Sequence, residues 1–191
     1  PWMFIVGSRS IGKSTGLGLY CIKHYLDTTK MFIYVRRTED ELLNTCRSFF
    51  DTPVIILQSY DYDISAFKYD RGNYYLKRKG AEEWEQCGTT IPLSQEQKYK
   101  SANFEKYDII LYDEFISLDP NKYLGSKATP DYEYDRCLSL YQTVDRGINR
   151  SYRNETKFIF SANNATYYNP IFVSLGITDY IRSNSKMLRP K

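Results

Sequence analysis

The chain has 191 residues, of which 42% are hydrophobic and 26% charged, with a net charge of +3 at neutral pH. That length supports one globular domain with a sizeable core and is short for two, so a single domain over residues 1–191 is expected. The composition excludes the polar, highly charged mixtures that stay disordered, and the mild charge means that any nucleic-acid contact must come from a local basic patch.

Apolar runs at residues 2–6, 31–35, 53–57, 109–112 and 158–160 predict five strands. Several are apolar without alternation, the pattern of parallel strands covered by helices on both faces. Between them lie helix-length stretches at 13–25, 39–50 and roughly 131–150, the second opened by Thr38 and Glu41 in a capping-box spacing. Strand alternating with helix implies an α/β three-layer sandwich around a mainly parallel sheet. Residues 59–88 break the rhythm: Lys68, Tyr69 and Asp70 precede Arg71-Gly72-Asn73 and a second run at 74–78, which reads as a β-hairpin insertion. Residues 121–130 form the clearest loop.

Cys21, Cys46, Cys87 and Cys137 are scattered without C-x-x-C spacing, and His24 is the only histidine, which points to free thiols rather than a zinc site. No run approaches the roughly eighteen apolar residues of a membrane span, and no signal segment opens the chain, so a soluble, intracellular protein without a membrane partner is expected. The first residue, Pro1, leads directly into a core-like run. That start reads as a fragment of a longer protein whose flanks are missing.

The sharpest signal is Gly7-Ser8-Arg9-Ser10-Ile11-Gly12-Lys13-Ser14, which fits G-x-x-x-x-G-K-S/T between a strand and a helix. The glycines let the backbone wrap around a β-phosphate, with N–H groups converging at a helix N-terminus. Lys13 would reach the β- and γ-phosphates, Ser14 would place its hydroxyl on Mg²⁺, and Thr15 continues the binding segment. ATP and Mg²⁺ are therefore the expected ligands. Arg9, within the turn, is either an exposed loop arginine or a guanidinium held against the γ-phosphate.

Residues 107–112 form an apolar strand running into Asp113-Glu114, the Walker B pattern. Asp113 would hold Mg²⁺ and Glu114 would orient or deprotonate the attacking water. The second acid marks the additional-strand, catalytic-glutamate class of P-loop ATPases. Downstream, Ser161-Ala162-Asn163-Asn164 puts polar side chains at a strand's C-terminal end, where parallel sheets bind ligands, and Asn163 is a candidate γ-phosphate sensor. Its bland alternative is a turn of common loop residues. Arg146, Arg150 and Arg153 cluster at the end of the third helix; they serve either the helix dipole or a trans-acting role in a ring ATPase.

Taken with Phe32-Ile33-Tyr34-Val35-Arg36-Arg37, Ile91-Pro92-Leu93-Ser94, Lys100-Ser101, Asp113-Glu114-Phe115-Ile116, Thr143-Val144-Asp145-Arg146 and Asn169-Pro170-Ile171-Phe172, these motifs resemble the ATPase domain of DNA-encapsidation proteins of small podovirus-type phages. Those proteins are distant relatives of large terminase subunits. The resemblance covers nearly the whole chain. It implies a homo-oligomeric ring, expected to be a pentamer, docked on the phage portal or connector of a procapsid in the host cytoplasm, with a packaging RNA as a further candidate partner. Such a ring passes double-stranded DNA through its centre. By the same resemblance Arg146 is the trans-acting finger and Lys100 reaches the neighbouring nucleotide, while Arg36 and Arg37 stay open among nucleotide, neighbour and surface roles. The basic hairpin, with Lys68, Arg71, Lys77, Arg78 and Lys79, is either a DNA grip or a solvated surface. The nuclease-like domain of terminases is not seen in this sequence, so no DNA cutting is inferred.

Two other readings stay open: a small P-loop nucleotide kinase, and a nucleotide-gated component that does not turn ATP over. The paired Asp113 and Glu114 argue against the second. A GTPase is disfavoured because Asn121-Lys122-Tyr123-Leu124 lacks the aspartate that ends N-K-x-D.

Overall fold

The computed structural model describes residues 1–125, 132–146 and 156–184. Seven strands form one sheet: β1 (Trp2–Gly7), β2 (Met31–Arg36), β3 (Ala66–Asp70), β4 (Asn73–Lys77), β5 (Glu85–Pro92), β6 (Tyr107–Asp113) and β7 (Lys157–Asn163). Their order is β1-β7-β6-β2-β5-β4-β3. The first five in that order pair in parallel, and β4 and β3 add an antiparallel hairpin at one edge. Helices α1 (Lys13–Thr28) and α3 (Asp51–Ser59) pack together, while α4 (Tyr132–Asp145) meets α5 (Pro170–Ser174). The expected mainly parallel α/β sheet with a hairpin insertion is what forms. Among the described residues no helix is long and apolar enough to cross a membrane.

The central strands explain the alternation-free runs: every residue of β2 is buried. Aromatic rings fill one face, where Phe158 and Phe160 stack at 4.2 Å and Phe4 stacks on Phe160 at 4.7 Å. The α1 helix buries Leu17, Gly18, Cys21, Ile22 and Tyr25, a stripe of helical period. The hairpin turns through Arg71 at φ 46° and Gly72 at φ 85°, two consecutive left-handed residues of the kind a tight two-residue connection needs. All four cysteines are free and buried.

Three expectations require correction. Residues 53–57 are not a strand but the body of α3, with Pro53, Val54 and Leu57 buried and Ile55 exposed. Pro53 is tolerated because it sits in the first turn, where its missing N–H has no intrahelical partner. The helix expected over 39–50 ends early: α2 spans Glu39–Thr45. Phe49 and Phe50 both pack on Tyr34, with ring centroids at 4.4 and 6.1 Å, and consecutive residues of a continuing helix diverge too far for that. The β5 strand is a further element, hidden by a polar sequence whose Gly88 leaves room for the Phe32 ring; a Cβ there would lie 2.5 Å from it. Of the expected helix at 131–150, the described part is α4, and Arg150 and Arg153 lie outside the described residues. The loop expected at 121–130 is entered through a short 3-10 turn, Pro120–Lys122.

Two glycines of α1 make the packing testable. A Cβ on Gly16 meets nothing within 4 Å, whereas one on Gly18 would lie 2.6 Å from Pro53 Cγ. Chemical denaturation should therefore show Gly16→Ala raising stability by about 0.5–1 kcal/mol through helix propensity. Gly18→Ala should lower it by about 1–3 kcal/mol through overpacking, despite the same propensity gain.

Candidate functional site

Parallel register brings the singled-out residues to one edge of the sheet. Gly7 pairs with Asn163, Asp113 pairs with Ser161, and Val35 pairs with Tyr112, so the C-terminal ends of β1, β7, β6 and β2 lie side by side. This is the edge at which open parallel sheets bind ligands.

After Gly7 the chain reverses through Ser10 at φ 61° and Gly12 at φ 83° before entering α1. A Cβ on Gly7 would come within 2.7 Å of Ile11 Cδ1, the far end of an exposed side chain, so the turn packs closely over this residue. Residues Ser8 through Gly12, with Ser14, are exposed, and Thr15 is half-buried. The α1 N-terminus carries no side-chain cap and no acidic residue in its first turn. By contrast Thr38 caps α2 and Asn169 caps α5. An uncapped helix end leaves its first N–H groups to receive an anion. Lys13 lies across the turn, its Nζ donating to Gly7 O at 3.0 Å, Ser8 O at 2.6 Å and Asn163 Oδ1 at 3.2 Å. The lysine and the candidate sensor are therefore in direct contact, and the Asn164 N–H also donates to Gly7 O at 3.2 Å. Arg9 is exposed on the same turn.

The acids sit two strands away. Asp113 is buried, and Glu114 follows it at φ 55°, a left-handed conformation that costs a non-glycine residue about 1–3 kcal/mol. That bend swings the Glu114 side chain outward, where it is half exposed. Arg36, itself buried, donates from Nη1 to Asp113 Oδ2 at 3.1 Å and from Nη2 to Glu114 Oε2 at 3.0 Å. Burial pushes the Asp113 carboxyl above its ordinary range, Arg36 opposes that rise, and the Glu114 charge adds to it. The donor set fits nucleotide and Mg²⁺: bare helix N–H groups, a lysine ammonium, an exposed Ser14 hydroxyl and a buried carboxylate at the end of a strand on the same sheet edge.

Sequence reasoning left Arg36 and Arg37 undecided, and the structure rules out a surface role for either, since they are 6% and 2% exposed. The available signal was position: two arginines directly follow a wholly apolar run, and buried guanidinium groups need acidic or carbonyl partners. Glu133 was missed altogether; it is fully buried and holds Arg37 Nε at 3.0 Å.

Lys100 and Arg146 do not join this cluster. Both are exposed, and Arg146 Nη2 donates to Lys100 O at 2.6 Å, so the two meet each other. The basic hairpin is largely spoken for: Arg78 pairs with Glu85 and Asp63, Lys79 pairs with Asp61, and Lys68 lies 4.2 Å over the Trp84 ring. An apolar cleft of about 730 Å³ opens between residues 117–125 and 165–173, but no residue of the 7–14 turn lines it.

A sheet of this order places the chain among α/β domains with a mostly parallel central sheet, and comparison with known proteins narrows the class. Residues 2–187 match the model of the podovirus DNA encapsidation protein (Gp16) family, and the chain belongs to that family. It is 32% identical over 177 residues to the DNA packaging protein of Bacillus phage B103, covering 91% of this chain and 47% of that protein. The chain thus spans about half the length of the curated relatives it matches. Its fold is similar to the crystal structure of the N-terminal domain of the DNA packaging ATPase from bacteriophage phi29, with a TM-score of 0.72, 27% identity, and coverage of 93% of this chain and 80% of that one. The large terminase of a thermophilic bacteriophage shares the fold at a TM-score of 0.55 and 16% identity, over 95% of this chain and 38% of that one.

Removing the guanidinium from Arg36 leaves Asp113 buried beside Glu114 without a counter-charge. Arg36→Ala should therefore lose about 3 kcal/mol in urea unfolding, the lower end for breaking a buried pair because Glu114 stays half exposed. A loss below about 1 kcal/mol would reduce the contact to the worth of a surface pair.

Proposed function

We propose that this chain is the ATP-hydrolysing motor domain of a phage DNA-packaging machine, using Mg²⁺ and ATP to drive double-stranded DNA into a procapsid. The observation that carries the reading is the Lys13–Asn163 contact, which joins the glycine-bounded P-loop to the sensor strand one strand away from Asp113 and Glu114. Family membership supports the packaging context.

The turn residues Gly7 to Ser14, with Thr15, hold the triphosphate by main-chain N–H groups, and the Lys13 ammonium lies against the β- and γ-phosphates. Binding substitutes phosphate oxygens for the carbonyls that Lys13 now contacts. Ser14 and Asp113 would hold Mg²⁺, which would supply positive charge against the phosphates. Glu114 orients the attacking water and accepts its proton, Arg9 places a guanidinium near the γ-phosphate, and Asn163 senses loss of that group through its contact with Lys13. Arg146 and Lys100, exposed and together, serve the neighbouring subunit's nucleotide in a ring, proposed to be a pentamer. The ring docks on the portal of a procapsid in the host cytoplasm, with a packaging RNA as a further partner. Because Arg78 and Lys79 are engaged in ion pairs, the hairpin offers Arg71 and Lys77 as its remaining basic contacts for DNA phosphates.

Glu114→Gln should retain nucleotide binding and lose turnover; undiminished hydrolysis would remove Glu114 from the role of base. Rings mixed from Arg146→Ala and Lys13→Ala subunits should regain part of the activity that each lacks alone, because some interfaces are intact. Absence of rescue in assembled rings would place Arg146 within its own subunit. Duplex DNA should raise the ATPase rate, and an unchanged rate would favour the nucleotide-kinase reading.

A further inference from the structure

Beneath the acids lies a second, fully enclosed charge cluster. Glu133, in the first turn of α4, is completely buried, and both its oxygens are satisfied twice. Oε1 accepts from the Tyr112 hydroxyl at 2.8 Å and Arg37 Nη2 at 3.3 Å; Oε2 accepts from Arg37 Nε at 3.0 Å and the Leu124 N–H at 2.8 Å. Arg37 is sandwiched near the rings of Tyr112 and Tyr123, 6.0 and 5.0 Å from their centroids. It also reaches the turn that follows β6: Nη2 donates to Phe115 O at 2.8 Å.

Phe115 directly follows Glu114, and its own N–H donates to Ser161 O at 3.2 Å. Both backbone groups of Phe115 are thus tied, one to β7 and one to Arg37. A left-handed residue such as Glu114 persists only where its surroundings over-determine it. The guanidinium that supplies half of that restraint is itself aimed by a bidentate contact with a carboxylate on another element. We infer that Glu133 is a positioning residue for hydrolysis, acting through Arg37 and the Phe115 carbonyl to hold the backbone bend that presents Glu114. This rests on the proposed ATPase reading and adds to it a residue that touches neither nucleotide nor water.

A buried pair can also matter for stability alone, and the molecule holds a suitable control. Arg136, one turn further along α4, pairs with buried Glu96 at 2.6 Å and caps Leu93 O and Ser94 O, without touching the 113–115 turn. In the full-length protein, Glu133→Gln and Glu96→Gln should both lower the melting temperature. Only Glu133→Gln should lower kcat, by at least about tenfold, with KM for MgATP within about twofold of wild type. Only Glu133→Gln should speed hydrogen exchange at the Phe115 amide.

Equal effects of the two variants on kcat and on Phe115 exchange would overturn the inference and leave Glu133 a stability residue. Should Glu133→Gln not fold, Arg37→Lys keeps the buried charge balance while replacing the guanidinium fork, which spans Glu133 and the Phe115 carbonyl, with a compact ammonium. It should show the same kcat loss and faster Phe115 exchange, and wild-type values for both would equally overturn the inference. The exchange measurement separates the two levels: a wild-type protein that hydrolyses no ATP sinks the ATPase reading, whereas unchanged exchange in both variants sinks the positioning role by itself.

Discussion

Two consecutive arginines, one ending β2 and one just past it, hold the acids of the candidate site in place. Successive residues of a strand point to opposite faces. Arg36 therefore reaches to the side of Tyr34 and meets Asp113 and Glu114, while Arg37 reaches to the side of Tyr112 and meets Glu133. Asp113 and Glu133 are buried, and without a guanidinium beside them each would carry a large desolvation cost. Without the pair, Asp113 would sit buried next to the charge of Glu114, and the turn after β6 would keep only the Phe115 N–H bond to Ser161 O.

The same logic makes α4 a strut rather than a covering helix. Its first turn binds the Arg37 cluster through Glu133, its middle grips residues 93–96 through Arg136, and Arg146, just past its end, hydrogen-bonds the Lys100 carbonyl. The Arg37 cluster, residues 93–96 and the exposed Arg146–Lys100 contact are thus all attached to one helix.

Much of the fold was legible because it rests on local signals. Alternation-free strands announced the parallel sheet, Arg71-Gly72 announced a tight hairpin, and Thr38 announced a helix start, which its hydroxyl confirms by accepting the Glu41 N–H at 3.3 Å. The capping box formed only in half: the Glu41 carboxylate turns instead to Arg37 at 3.6 Å. The failures came where a short apolar run has no period of its own. Residues 53–57 suit a buried strand or a buried helix equally well, and the close approach of α3 to Gly18 decides between them. The β5 strand scatters Cys87 and Ile91 among polar residues with no clear apolar run, and it is recruited by its neighbours, with Gly88 yielding space to Phe32.

The candidate phosphate turn, the acidic pair and the amide-bearing strand end can all be read from the order of residues, because each is a contiguous pattern whose backbone demands are written in glycines, apolar runs and adjacent acids. Which of them touch is a matter of three-dimensional packing. Lys13 and Asn163 are 150 positions apart and Arg36 and Asp113 are 77 apart. Their meeting follows from strand order and register, which are set by packing across the whole sheet. Glu133 shows the limit most plainly: along the chain it is one of three acids on α4, and only burial against a particular arginine distinguishes it from the other two.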